Sequence, residues 1–271
     1  MFTQVRLITF NALRSLDIPG ANYIKPEHYL RSLDHVREAQ CVLYPEYWQV
    51  NSLVYGLKRR IFPSAASYHL GHDKIEQTRA FMAVAPHNVP WTEILPSTDS
   101  AIESVLESFD FPFVAKVVRS SMGEGVFLIE SRRQFLDYAA QNDILYVQEY
   151  LPIQRDLRVV WVGDQVVSAY WREQTDGFHN NVARGGVVTF DAVPPAALEL
   201  VERVARALGI DHAGFDVAVV QGHCYLLEFN VLFGLDGLNR QGIRLGSYIM
   251  RHLGLDDDEP RTPLQPSPVA A

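Results

Sequence analysis

The stretch Ala213-Gly-Phe-Asp-Val-Ala-Val-Val220, followed by Gln221-Gly222-His223 and Cys224-Tyr-Leu-Leu-Glu-Phe-Asn230, places apolar, β-branched and aromatic runs on either side of a short turn with a glycine. That pattern predicts a β-hairpin. With a three-residue turn, Val220 pairs with Cys224, and the register runs through 219/225, 218/226 and 217/227 to set Asp216 opposite Glu228. Asn230, two residues further on, shares their face. Like charges directly opposite one another destabilise a sheet, so a cation is expected between the acids. Two carboxylates and an amide oxygen, with no Cys or His among them, make an all-oxygen set suited to Mg²⁺ or Mn²⁺, which completes its shell with water and phosphate oxygens. Taken alone, the pattern also describes a half-buried hairpin with two acids on its wet face, so the rest of the chain has to decide.

Composition narrows the field. At 271 residues the chain can bury a large core, as one elaborate domain or two modest ones. Lys and Arg number 24 against 32 Asp and Glu, a net charge of -8 that argues against a surface tracking nucleic-acid phosphates. No apolar run approaches the roughly 20 residues of a membrane span, and the N-terminus lacks the layout of a signal peptide. Cys41 and Cys224 lie far apart in sequence, so a reducing, cytoplasmic setting without a disulfide framework is expected. The closing residues from about Asp256 are acidic and Pro-rich and read as a mobile tail.

Upstream, strands are predicted at Val5–Phe10 and Gln40–Tyr44 and helices at Pro26–Ala39 and Glu46–Arg60, with Ile61-Phe62-Pro63 closing a fragment too small to stand alone. It is expected to pack on the larger C-terminal portion of the chain. Lys74 opens an amphipathic helix, where the dipole disfavours a cation unless an anionic ligand offsets it. Lys116 sits among valines on the strand Phe111–Val118, and a lysine there must meet an anion or reach solvent. The loop after it, Arg-Ser-Ser121-Met-Gly123-Glu-Gly125, carries many backbone N–H groups suited to covering phosphates. A strand comes after it where a P-loop would need a helix. The strand at Ile144–Val147 runs through Gln148-Glu149-Tyr150 to Pro152, and such a stop leaves backbone groups free for an adenine edge. Arg158 and Arg172 flank a second hairpin and Arg184 comes next in a donor-rich loop; the three could converge on phosphate oxygens. Pro194–Leu208 is an amphipathic helix stopped by Gly209, Gly234–Gly237 a loop, and Ile243–Leu253 the last helix.

Lys74, Lys116 with its Gly-rich loop, Gln-Glu149-Tyr150, Asp156-Leu-Arg158, the Asn180-Asn181-Val-Ala-Arg184-Gly-Gly run, Ala-Gly-Phe-Asp216 and Leu-Glu228-Phe-Asn230 occur in the order of an ATP-grasp domain. Over roughly Phe62 to Leu253 the chain resembles the RimK-like branch of that superfamily. The resemblance implies an α+β fold in which two subdomains grip ATP, here residues 67–148 and 149–255, after a short α/β region over 1–66. It implies that Lys74 and Lys116 contact phosphates, that Ser121, Gly123 and Gly125 belong to a flap over them, that Glu149 and Tyr150 meet adenine and Asp156 the ribose, and that His179, Asn180 and Asn181 contact the nucleotide. Asp216, Glu228 and Asn230 would hold the metals, two Mg²⁺ or Mn²⁺ ions, with Lys116, Arg172 and Arg184 facing the transferring group. The implied reaction is ATP-dependent joining of a carboxylate to an amine through an acyl phosphate, with relatives often dimers or tetramers. A small-molecule kinase and a nucleotide-binding module without catalysis are the alternatives. Two departures stand out: relatives commonly follow the metal asparagine with Ser-Pro-Gly, where this chain has Val231-Leu232-Phe233-Gly234, and an arginine is usual in place of His179.

Overall fold

The computed structural model describes residues 6–118, 125–173 and 187–255; the tail expected from Asp256 lies outside them. Three sheets organise the described residues. The first is all parallel, with β1 (Leu7–Thr9), β2 (Ala21–Tyr23), β3 (Cys41–Leu43) and β4 (Ile61–Phe62) in the order β2-β1-β3-β4. β2 was not predicted because it is three residues on an edge, two of them exposed, with no alternation to read. The helix predicted from Pro26 begins as a 3₁₀ turn over Pro26–Ser32 and becomes α-helical over Leu33–Glu38. The next begins at Tyr47–Asn51 and widens to a π-turn over Ser52–Gly56, so it ends short of Arg60.

The central sheet is antiparallel: β5 (Thr92–Pro96), β6 (Phe113–Lys116), β7 (Val126–Ile129) and β8 (Ile144–Glu149), in the order β5-β8-β6-β7. Helices Asp99–Ser108 and Arg132–Ala139 supply the rest of its core, which includes Val105, Phe113, Phe135, Tyr138 and Leu145. Ser131 caps the second helix by accepting from Gln134 N. All members of this core fall between Leu95 and Val147.

The third sheet runs β11-β10-β9-β12-β13, with β9 (Arg155–Val162), β10 (Gln165–Glu173), β11 (Val187–Thr189), β12 (His212–Val220) and β13 (His223–Asn230) all antiparallel to their neighbours. One face buries Leu157, Val159, Trp161, Phe215 and Val217 with the helix Pro195–Leu208 and the helix Lys74–Val84. Gly209 ends the first of these in the left-handed region, at φ +66°, as its position predicts. The other face buries Val160 and Val162 with Phe233 and the final helix, which begins at Gly246, three residues later than predicted. A short helix over Asp236–Arg240 occupies part of the region read as a loop. The N-terminal sheet joins both cores, Ile8 and Val42 on one side and Leu7 and Leu43 on the other, so the small leading fragment does pack against the C-terminal sheet and its helices. Among the described residues no helix is long and apolar enough to cross a membrane.

Candidate functional site

The β12–β13 hairpin brings Asp216 opposite Glu228, as predicted, by a different route. The turn has two residues, with Val220 paired to His223, because Gln221 (φ 50°) and Gly222 (φ 83°) both take positive φ and form the type of turn that matches strand twist. Glutamine rarely adopts that conformation, which is why the sequence suggests a longer turn. The ladder then runs 219/224, 218/225 and 217/226 before a bulge skips Leu227 and restores the pair 216/228.

The same rung extends across the sheet as Tyr170, Arg158, Asp216 and Glu228. Arg158 donates to Asp216 through Nε (2.6 Å) and Nη2 (3.2 Å), and Arg172 Nη2 lies 2.9 Å from Asp216 Oδ2. Arg172 Nε also donates to Asp156 Oδ1 at 2.7 Å. Two acids and two arginines thus form a neutral quartet, with Asp216 only 5% and Asp156 4% exposed. Burial opposes the charge on Asp216, but the two guanidinium groups outweigh it and hold its carboxyl below the usual range. At Asp156 burial prevails over Arg172 and raises the pKa. Burial likewise opposes the charge on Arg172, and Asp216 and Asp156 overcome it and push its pKa up. Arg158 and Arg172 do converge, but on carboxylates, since buried acids demand compensation.

Across the rung the surroundings change. Glu228 Oε1 accepts from Asn230 Nδ2 at 3.2 Å, and its Oε2 is 4.0 Å from Lys74 Nζ. Lys74 opens the helix Lys74–Val84, capped by Asp73, which accepts from Ile75 N and Glu76 N. Lys116, at the end of β6, is 9% exposed and sits 5.4 Å from the centre of the Tyr146 ring. Burial pulls both lysine pKa values down, Glu228 counters it, and Lys116 depresses Lys74 further. Two lysines from separate elements beside one carboxylate leave an excess of positive charge, which suits a polyphosphate.

Sequence reasoning missed Gln77. It is buried and donates through Nε2 to Phe229 O (3.0 Å) while Phe229 N donates to its Oε1 (2.9 Å). β13 is the sheet's edge, and this amide pairs with it as a neighbouring strand would. Phe229 stands between Glu228 and Asn230, so Gln77 ties those two residues to the helix that carries Lys74. The available signal was a polar residue on the inward side of an amphipathic helix.

In the linker, Glu149 ends β8 and its Oε1 accepts from Trp91 N at 2.7 Å; Tyr150 comes next, half-buried. Gly125 O accepts from Val117 N at 2.7 Å and closes the base of the β6–β7 hairpin. Ser121, Gly123, His179, Asn180, Asn181 and Arg184 lie outside the described residues. Among the described residues no three His, Cys, Asp or Glu side chains gather to hold an ion by themselves. Asp216, Glu228 and Asn230 nonetheless fit a hard divalent cation that takes phosphate and water oxygens for its remaining positions. Asp216 Oδ1 accepts one hydrogen bond among the described residues and keeps a further lone pair.

The family model of the RimK-like ATP-grasp domain matches residues 72–253. A probable alpha-L-glutamate ligase of Citrobacter koseri is 31% identical over 177 residues, 61% of this chain and 59% of that protein. A ribosomal protein bS6–L-glutamate ligase of Escherichia coli is 31% identical over 172 residues, 60% of this chain and 57% of its own length. The chain therefore spans less than two thirds of the length of these relatives. Among solved structures, a RimK-domain ATP-grasp protein from Sphaerobacter thermophilus superposes with a TM-score of 0.70 at 16% identity, covering 91% of this chain and 98% of that one. The D-alanine–D-alanine ligase of Bacillus anthracis complexed with ATP gives 0.67 at 11% identity, covering 92% and 96%. These likenesses show the fold, and it is the fold of three sheets described above. With the family model spanning both lysines and the facing acids, the chain belongs to the RimK-like ATP-grasp family.

Proposed function

We propose that the protein is an ATP-dependent carboxylate–amine ligase of the ADP-forming kind, with residues 67–148 and 149–255 as the two arms around the nucleotide. The observation that carries this reading is the pairing of Asp216 with Glu228, beside which Lys74 and Lys116 are brought from two other elements. A carboxylate oxygen is a poor leaving group. Transfer of the γ-phosphoryl group to it gives an acyl phosphate, which an amine attacks to form the amide and release phosphate. Lys74 and Lys116 hold and neutralise the phosphates, and Asp216, Glu228 and Asn230 hold Mg²⁺ or Mn²⁺, whose contribution is to spread the charge of the triphosphate. Tyr150 and Glu149 face the adenine from the linker, and Asp156 reaches the ribose only on leaving Arg172. Arg184 steadies the acyl phosphate, and Arg172 joins it only on leaving Asp156 and Asp216. Because both curated relatives are named for L-glutamate, it is the first amine to test.

The test is a screen for ADP release with paired carboxylates and amines, with the product identified by mass spectrometry. An amide that requires the amine supports the ligase; a stable phosphorylated compound assigns a kinase. A second reading, a nucleotide-binding module without turnover, draws on the close engagement of Asp216 by two arginines. ATP binding without ADP release across the whole panel would select it. Asp216→Asn should abolish metal-dependent turnover, and unchanged ADP release in that variant would sink the metal assignment.

A further inference from the structure

We propose that Arg14, which the ligase reading leaves without a role, anchors a substrate carboxylate that is not the one being phosphorylated, at the crevice between β1 and β3. The inference rests on the ligase reading for the identity of that substrate and on geometry for the site.

In the parallel order β2-β1-β3-β4, the chain leaves β1 toward one edge of the sheet and β3 toward the other. Ligands of such sheets bind outside the carboxyl ends of the strands at the point where the direction reverses. The segments that leave the two strands there are the 3₁₀ turn Leu13–Ser15, which carries Arg14, and Tyr44, held at φ 46°. Left-handed backbone at a buried tyrosine is strained and persists where surroundings impose it.

Arg14 Nη2 donates to Phe233 O at 2.7 Å, and its guanidinium lies 5.9 Å from the centre of the Phe233 ring. Its Nη1 is buried and has no hydrogen-bond partner among the described residues. The titratable groups nearest the guanidinium are Tyr44 and Tyr68, phenols that burial keeps protonated, and no carboxylate of the described residues pairs with it. A buried guanidinium nitrogen with two idle N–H groups is costly to keep unless an acceptor arrives, and a carboxylate matches the fork of donors.

Phe233 links this arginine to the nucleotide cleft. It stands three residues beyond Asn230, so at most about 11 Å away along the chain. A Cβ at Gly214 would meet Phe233 Cβ at 2.9 Å and Arg158 Cδ at 3.0 Å, so the ring packs over the glycine that pairs with Asn230, beside the arm of Arg158. His212 fixes the loop from behind, with Nδ1 2.9 Å from Val231 O and its ring stacked on Phe233 at 5.0 Å. The stretch Val231–Gly234, which departs from the Ser-Pro-Gly of relatives, is thus built into a wall between the metal-facing residues and Arg14. A carboxylate held by a guanidinium is a weakened nucleophile, which suits an anchor more than the group to be activated.

The test is calorimetric titration of the full chain, loaded with ADP and Mg²⁺, with L-glutamate. The wild type should bind it, Arg14→Met should weaken binding roughly 10- to 100-fold, and Arg14→Lys, which keeps the charge and loses the fork, should fall between, with ADP affinity unchanged in both. Equal L-glutamate affinity in Arg14→Met, as expected if Nη1 merely holds a water, overturns the inference. So does a parallel loss of ADP affinity in both variants, which would mark a structural prop, and so does failure of the wild type to bind L-glutamate. ADP release that ignores Arg14 would leave the ligase reading standing; binding that depends on Arg14 without ADP release would leave the anchor and remove the ligase.

Discussion

Asp216 and Glu228 occupy one rung of one hairpin and yet belong to different environments. Asp216 is sealed in with Arg158, Arg172 and Asp156, and its charge is settled within the fold. Glu228 has 36% of its side chain exposed, and its neighbours are an amide and the cations of two other elements. The difference teaches that a residue type at a position proposed to ligate metal does not reveal how much of its work is structural. One acid is engaged inside the sheet by two arginines and the other stands at its edge beside Lys74 and Asn230.

Replacement by alanine should separate the two most widely. Asp216→Ala leaves two buried guanidinium groups sharing Asp156 and should cost about 3–5 kcal/mol in urea unfolding, whereas Glu228→Ala breaks a long contact to Lys74 and an exposed hydrogen bond from Asn230 and should cost below about 1 kcal/mol. Both should lose nucleotide-dependent ADP release. Equal destabilisation by the two would erase the contrast.

The next test reads the buried side through pH. Burial, with Arg14 adding to it, holds His212 at about 4, below its ordinary 6.5. The unfolded chain therefore binds a proton that the folded one refuses between those values, so this stability is present above pH 6.5 and is lost as pH falls toward 4. The loss should be on the order of 3 kcal/mol at the low end. Urea midpoints measured from pH 7 down to 4.5 should slope less in His212→Gln, and an unaltered slope would remove the assignment.

Gln77→Met probes the open side. It strips both bonds from Phe229 and should cost about 1–3 kcal/mol, while weakening Mn²⁺ binding by roughly tenfold, read by electron paramagnetic resonance. Stability loss with unchanged Mn²⁺ affinity would confine Gln77 to the scaffold. The smallest effect on folding belongs to Lys116→Met. Removing a buried cation whose pKa is already depressed should change stability by less than about 1 kcal/mol in either direction, with ATP binding lost in the same preparation.

The hairpin, the amphipathic helix Pro195–Leu208 and the two lysines were legible because each depends on local chemistry: alternation, helical spacing, a cation where the backbone disfavours one. The family resemblance added their order along the chain. What could not be read was pairing at a distance. Nothing near Asp156 announces that Arg172 will claim it, and nothing around Gln77 names the edge of β13 as its partner. Arg14, 219 residues before Phe233, was invisible for the same reason. The two-residue turn was misjudged because a glutamine in left-handed backbone runs against its intrinsic preference.

The skipped residue in β13 governs parity. Cys224 and Leu226 face the apolar core before it, and Phe229 and Val231 face the same core after it, an odd step that only a bulge permits. Were the ladder unbroken, position 227 would oppose Asp216, and Glu228 and Asn230 would be driven into grease. One extra leucine thus acts as a phase shifter: the strand packs as a wall for most of its length and, over its last few residues, turns a different set of atoms toward the cleft.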